Sequence, residues 1–302
     1  MTRDIFIDKN FAEDTLRIIG AANVVCREYA AAGFDMTLRQ VFYQFVARGW
    51  LSNTEKSYKR LGSIVSDARL AGLLDWDYIV DRTRELEARP SWGSPHEIIE
   101  IVGKQYHRDL WEGQDYRIEV WIEKEALAGV IAPICRRLDV PFFSCRGYVS
   151  QSAMYEAATR LSAITDTGAQ PIILHLGDHD PSGIDMSRDI TDRLYLMGAG
   201  AEVERIALTM RQIEELNPPP NPTKLSDARA AGYIARFGRE SWELDAIPPT
   251  QLTALIEQHV TGYRDDDLFA AAVEREREEA DQISSVASAW SDVIDLIEGI
   301  GS

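Results

Sequence analysis

Leu38, Val41, Phe42 and Phe45 recur at the i, i+3, i+4, i+7 spacing of one helix face. Thr37 and Gln40 stand at the S/T-x-x-E/Q spacing of a capping box, so the chain is predicted to enter a helix at Thr37. An alanine-rich helix is expected before it, over 11–32, and a third after it, over 54–72, ending near Gly72. Asp75–Arg84 (DWDYIVDRTR) reads either as a hairpin wing or as a further helical turn, and Pro90–Pro95 (PSWGSP) as a linker.

The pattern changes after residue 115. Apolar runs at Arg117–Ile122, Val140–Ser144 and Pro171–Leu176 predict strands. Between and after them, helices are expected over Leu127–Leu138, with Pro133 an awkward interior residue, Ser150–Ile164 and Ile184–Leu196. Alternating strands and helices imply βαβ units and a mostly parallel sheet. Asn217–Pro222 (NPPPNP) breaks the chain again, Trp242–Ala246 alternates as a strand would, and the last third reads as helical with an acidic stretch from Asp265 to Asp281. The expected class is α/β: a helical N-terminal domain over 1–95 and a sheet-containing domain with a helical extension over 96–302. A length of 302 residues suits about two domains at roughly 150 each.

Charge sharpens this division. The whole chain carries 32 Lys+Arg and 49 Asp+Glu, a net −17, which argues against nucleic acid if taken as an average. Residues 1–110 hold 15 basic and 16 acidic side chains, however, and the remaining 192 hold 17 and 33. Within 39–69, Arg39, Arg48, Lys56, Lys59, Arg60 and Arg69 face only Glu55 and Asp67, a local +4. That stretch is either a solvated face or a phosphate-binding one. Arg82 and Arg84 add to it or pair with Asp77, Asp81 and Glu85. No apolar run approaches the ~18 residues a membrane helix needs. The start lacks a secretory pattern, and Cys26, Cys135 and Cys145 form no CxxC, so a cytoplasmic protein without structural disulfides is expected.

The candidate chemistry sits at strand ends. Glu123 follows the first strand, and Asp178 and Asp180 follow the third. In open α/β sheets ligands bind beyond these carboxyl ends. Three oxygen donors there suit Mg²⁺, which would stabilise charge developing on a phosphodiester. The bland reading of Asp-x-Asp is a turn or a helix cap, with Asp185 a candidate cap. His175 and His179 read as a core and a turn residue. In the second helix Tyr43 lies off the apolar face, one turn from Arg39. It is either an amphipathic residue at a domain interface or a nucleophile whose neighbouring arginine holds a phosphate.

Glu123-Lys124, Gly147-Tyr148 and Asp178-His179-Asp180-Pro181-Ser182-Gly183 resemble the TOPRIM domain, in the version found in the A-type subunit of topoisomerase VI and the related meiotic double-strand-break proteins. Thr37-Leu38-Arg39-Gln40-Val41-Phe42-Tyr43 resembles their winged-helix motif, which ends on the nucleophilic tyrosine. The likeness covers roughly 35–245, with Phe42 where the family usually has tyrosine. The resemblance implies that Glu123, Asp178 and Asp180 bind Mg²⁺ and that Tyr43 attacks DNA, assisted by Arg39. It also implies a homodimer on duplex DNA, each tyrosine working with the partner's metal site, with Arg39, Lys56, Lys59 and Arg60 contacting phosphates. The chain is short and holds no GxxxxGK[ST], so any ATP-driven step would need a separate ATPase partner, as in a minimal stand-alone form of the kind found on mobile elements. The rival expectations are a TOPRIM nuclease using water and a non-catalytic DNA-binding protein.

Overall fold

The computed structural model describes residues 5–34, 36–80 and 91–300, and for 298–300 the backbone alone. Three helices open the chain: α1 (Glu13–Ala31), α2 (Leu38–Ala47) and α3 (Glu55–Leu70). The capping box forms, the Thr37 hydroxyl accepting from Gln40 N–H and the Gln40 side chain accepting from Thr37 N–H. Val25, Met36, Val41, Phe45 and Leu61 meet in a core of their own. Over 75–80 the hairpin-or-helix alternative resolves to a 3₁₀ turn, Trp76–Tyr78, and a single bridge between Ile79 and Met36. Arg82, Arg84, Asp81 and Glu85 lie outside the described residues.

Helix α4 (Pro95–Gln105) begins on Ser94, whose hydroxyl accepts from Glu97 N–H. Its N-terminal proline is compatible with a first turn that has no use for that N–H. Beyond it come β1 (Tyr116–Ile122), α5 (Ala128–Arg137), β2 (Phe142–Ser144), α6 (Gln151–Asp166), β3 (Gln170–Leu176), α7 (Pro181–Leu196) and β4 (Glu202–Ala207). The four strands form one parallel sheet in the order β2-β1-β3-β4. Ile118, Val120, Ile122, Ile172, Leu174 and Leu176 face one core, while Trp121 and Ile173 face another with Met154, Leu161 and Ile190. Coverage on both faces explains why these strands read as apolar runs. Pro133 stays inside α5 on its exposed side, where water can serve the carbonyl that loses a partner.

The chain continues through α8 (Met210–Leu216), β5 (Asn221–Pro222), α9 (Ala230–Phe237), β6 (Glu240–Ser241), α10 (Pro249–Tyr263), α11 (Asp266–Ser288) and α12 (Trp290–Ile300). Strand β5 pairs antiparallel with β6. The acidic stretch 265–281 caps and builds α11, and part of it is bound rather than merely solvated: Glu279 takes Tyr106 Oη (2.6 Å) and Arg108 (2.8 Å). The strand expected over Trp242–Ala246 is corrected. Trp242 makes one antiparallel bridge to His179, and Leu244–Ala246 then turns as a 3₁₀ helix. That turn caps the carboxyl edge of the sheet. No described helix is long and apolar enough to cross a membrane.

Candidate active site at the carboxyl edge of the sheet

Strands β1 and β3 lie side by side in register, Ile122 opposite Leu176, so the residues after them emerge together. Glu123 N–H donates to the Leu176 carbonyl (2.9 Å), and Asp178 N–H donates to Glu123 Oε2 (2.8 Å). The carboxylate fits because two glycines leave room. A Cβ on Gly177 would stand 2.9 Å from Glu123 Oε2, and one on Gly183 would stand 3.0 Å from it and 2.2 Å from the Asp178 carbonyl oxygen.

The Asp-x-Asp segment divides its tasks. Asp180 is the N-cap of α7, its Oδ1 accepting from Gly183 N–H (2.6 Å). The cap expected of Asp185 is therefore corrected: Asp185 lies a turn inside α7, bonded to Tyr148 Oη (2.6 Å) and Arg188 (2.8 Å). Asp178 is buried. Its Oδ1 accepts from Leu244 N–H (2.7 Å), and its Oδ2 lies 3.0 Å from Lys124 Nζ. The same ammonium reaches Glu243 Oε2 (2.9 Å) and Asp245 Oδ2 (3.2 Å). The turn at 242–246 thus brings two further carboxylates to the edge.

Helix α2 docks on this turn. Arg39 bonds Glu243 Oε2 (2.5 Å) and Asp245 Oδ2 (3.1 Å), and its guanidinium lies 5.8 Å over the Tyr43 ring. Glu243 and Lys124 lie near enough to the Tyr43 phenol for their charges to act on it. Tyr43 is only 3% exposed in this arrangement. Its helix does not bury it; the second set of elements does. The Asn53 amide, donating to Asn221 Oδ1 (2.6 Å), makes a further link of the same kind.

Electrostatics follow from burial and crowding. Burial raises Glu123 to about 7, and repulsion from Asp178 and Asp180 adds to it. Burial also raises Asp178, opposed by Lys124. Glu243, despite its burial, is held down to about 2 by Lys124 and Arg39. Burial and Glu243 push the Tyr43 phenol well above its ordinary value, so Arg39 does not make it a ready phenolate. Burial lowers His175 to about 3 and His179 to about 4, consistent with neutral core and turn residues.

Beneath the loop lies Arg205 of β4. Its guanidinium donates to the carbonyls of Gly177 (2.9 Å), Asp178 (2.6 Å) and Gly183 (2.9 Å), and so fixes the loop from below. Burial lowers it to about 10, while the three acidic residues hold it up. Sequence reading missed Arg205 because β4 itself was missed. The usable signal is the arginine at position 205 beside the apolar Ile206 and Ala207. It missed the part of Lys124 although that residue directly follows Glu123, and it assigned no partner to Glu243.

The other candidates lie elsewhere. Lys56, Lys59 and Arg60 are exposed on α3, with Lys59 paired to Glu55 (2.7 Å) and Arg60 to Asp14 (2.8 Å). Neither pair touches the acidic edge. Among the described residues no three His, Cys, Asp or Glu side chains stand together as a ready metal cage. An ammonium occupies the converging point instead: Lys124 lies among Asp178, Glu243 and Asp245. No family model, curated protein or solved structure matches the chain.

Proposed function

We propose that the chain cleaves duplex DNA with Mg²⁺, as a TOPRIM protein similar to the A-type subunit of topoisomerase VI, with Tyr43 as nucleophile. The winged-helix-like domain would be 1–95 and the TOPRIM domain 96–302, acting as a homodimer, with any ATPase a separate protein. One observation carries this reading. Within one chain, Arg39 lies over the Tyr43 ring and leads through Glu243, Lys124 and Asp178 to Glu123, a run of contacts from α2 to the ends of β1 and β3.

The donor set fits a hard divalent cation. It offers oxygens only, and Glu123 carries like-charge repulsion that a cation relieves. Glu123, Asp178 and Asp180 would hold Mg²⁺, with Asp178 exchanging Lys124 for it. When bound, the ion would offset charge building on the scissile phosphate.

The chain's own residues do the rest. A DNA phosphate that takes over Arg39 leaves Glu243 with one cation fewer and makes it more basic. The Tyr43 oxygen then bonds to phosphorus, its proton passes to Glu243, and the bond from phosphorus to a deoxyribose oxygen breaks. That oxygen takes a proton from water. Burial of Tyr43 favours a second reading, in which water attacks the phosphorus in its place.

Supercoiled plasmid incubated with protein and Mg²⁺, stopped with detergent and run with and without protease, separates the two. Breaks bearing protein, lost in both Tyr43→Phe and Asp178→Ala, support the tyrosine. Protein-free breaks that survive Tyr43→Phe but not Asp178→Ala assign the attack to water. Cleavage that persists in Asp178→Ala overturns both.

A further inference from the structure

Beside the acidic loop, α7 and α9 enclose a cleft of about 510 Å³. It starts where the loop ends. Pro181, which follows Asp180, lines it, and so does Tyr233, whose hydroxyl donates to the His179 carbonyl (2.8 Å). A volume in the range of roughly 300–1,000 Å³ suits a small molecule or one nucleotide.

The lining has two characters. Ile184, Tyr233 and Phe237 supply an apolar and aromatic wall, and Arg188, Arg229 and Arg236 supply guanidinium groups. Carboxylates hold two of these in place. Arg188 bonds Asp185 (2.8 Å) and Asp192 (2.6 Å), and Arg229 grips Asp227 through two bonds of 2.8 Å and reaches Asp185 at 3.2 Å. Arg229 also lies 5.3 Å over the exposed Tyr148 ring. Arg236 differs: it is exposed, stacks 5.0 Å from Phe237, and has no ion pair among the described residues. In a chain of net −17, three arginines converging on an aromatic wall next to the acidic loop are a local departure. An unpaired guanidinium binds phosphate through its planar donor edge, and an aromatic face takes a base by stacking.

We propose that this cleft is a nucleotide subsite, in which Arg236 takes a phosphate and the aromatic wall of Tyr233 and Phe237 takes the face of a base. It deepens the DNA reading, on which the choice of ligand rests. The nucleotide is one unit of a DNA strand threading past the loop, or a free nucleotide.

The test uses the full chain in EDTA, so that binding is read without cleavage. A fluorescein-labelled 12-nucleotide single strand is titrated by polarisation from 50 to 200 mM salt, and a fluorescent ATP analogue is titrated separately as a second probe. Variants are Arg236→Ala, Arg236→Lys and, as a surface control on α8, Arg211→Ala. Arg236→Ala is expected to weaken strand binding about 5- to 10-fold. It should also reduce the slope of log affinity against log salt by about 0.7, the value for one phosphate contact on a single strand. Arg236→Lys falls between, Arg211→Ala matches wild type, and the thermal midpoints agree. Binding of the ATP analogue that depends on Arg236, with strand binding independent of it, assigns the subsite to free nucleotides. Wild-type strand and ATP binding in Arg236→Ala, equal loss in Arg211→Ala, or no binding of either probe overturns the subsite. The plasmid assay with Asp178→Ala judges the cleavage reading separately, because Arg236 takes no part in that chemistry.

Discussion

Replacing Gly183 by alanine tests the geometry of the acidic loop directly. The new Cβ would stand 2.2 Å from the Asp178 carbonyl oxygen, where ordinary contact begins near 3.4 Å. The obstacle is backbone, held in turn by Arg205 at 2.6 Å, so no side chain can swing aside. Gly183 also donates the N–H that Asp180 caps. Overpacking of this kind costs about 1–3 kcal/mol, and a backbone shift that pulls this N–H away from Asp180 adds about 1. In a protein of this size 1 kcal/mol shifts Tm by roughly 2–4 °C, so a fall on the order of 5–10 °C is expected. Gly20 provides the opposite sign. It is exposed in the interior of α1 and a Cβ there meets nothing within 4 Å. Alanine at that position is expected to raise Tm by roughly 1–3 °C, through about 0.4–1 kcal/mol of backbone entropy. Thermal unfolding followed by circular dichroism at 222 nm reads both variants. A Gly183→Ala protein as stable as wild type, or shifted in the same direction as Gly20→Ala, would refute the close packing of Asp178 on α7.

Two further outcomes follow from the charges. Glu123 titrates near 7 in the folded chain and near 4.5 when unfolded, so the folded state binds more protons between those values. Stability therefore falls as pH rises from about 4.5 to 7, by up to about 3 kcal/mol from this group; urea unfolding of Glu123→Gln should show that part of the slope gone, and an unchanged slope would exclude Glu123 as its source. Glu243→Gln removes the charge shared by Arg39, Lys124 and Tyr43. It should destabilise the chain by about 1–3 kcal/mol and speed nitration of Tyr43 by tetranitromethane, read by peptide mapping, whereas wild-type protection would show that Glu243 does not hold α2 against the turn.

Local signals carried much of the fold. The capping box at Thr37 and Gln40, the apolar face of α2 and the runs that became β1 and β3 depend on neighbours within a turn or a strand, so the sequence alone displayed them. Glu123 and Asp178 were legible too, because strand ends in a parallel sheet open onto one edge. Strand β4 was not: four of its six residues are incompletely buried, which gave no apolar run. With it went Arg205, whose acceptors are carbonyls from a different part of the chain.

What only the tertiary structure decided is who shares each charge. Sequence spacing set three carboxylates at an edge, but the turn at 242–246 delivered two more, and Lys124 became the common partner of Asp178, Glu243 and Asp245. Position along α2 placed Tyr43 off its apolar face, and docking against Glu243 then buried it. The amino-acid sequence determined which elements form and which residue types stand at their ends, since those follow from short-range periodicity and capping. Pairing, burial and proton affinity depend on groups up to 204 residues apart, as between Arg39 and Glu243, and such distances close only when the chain packs.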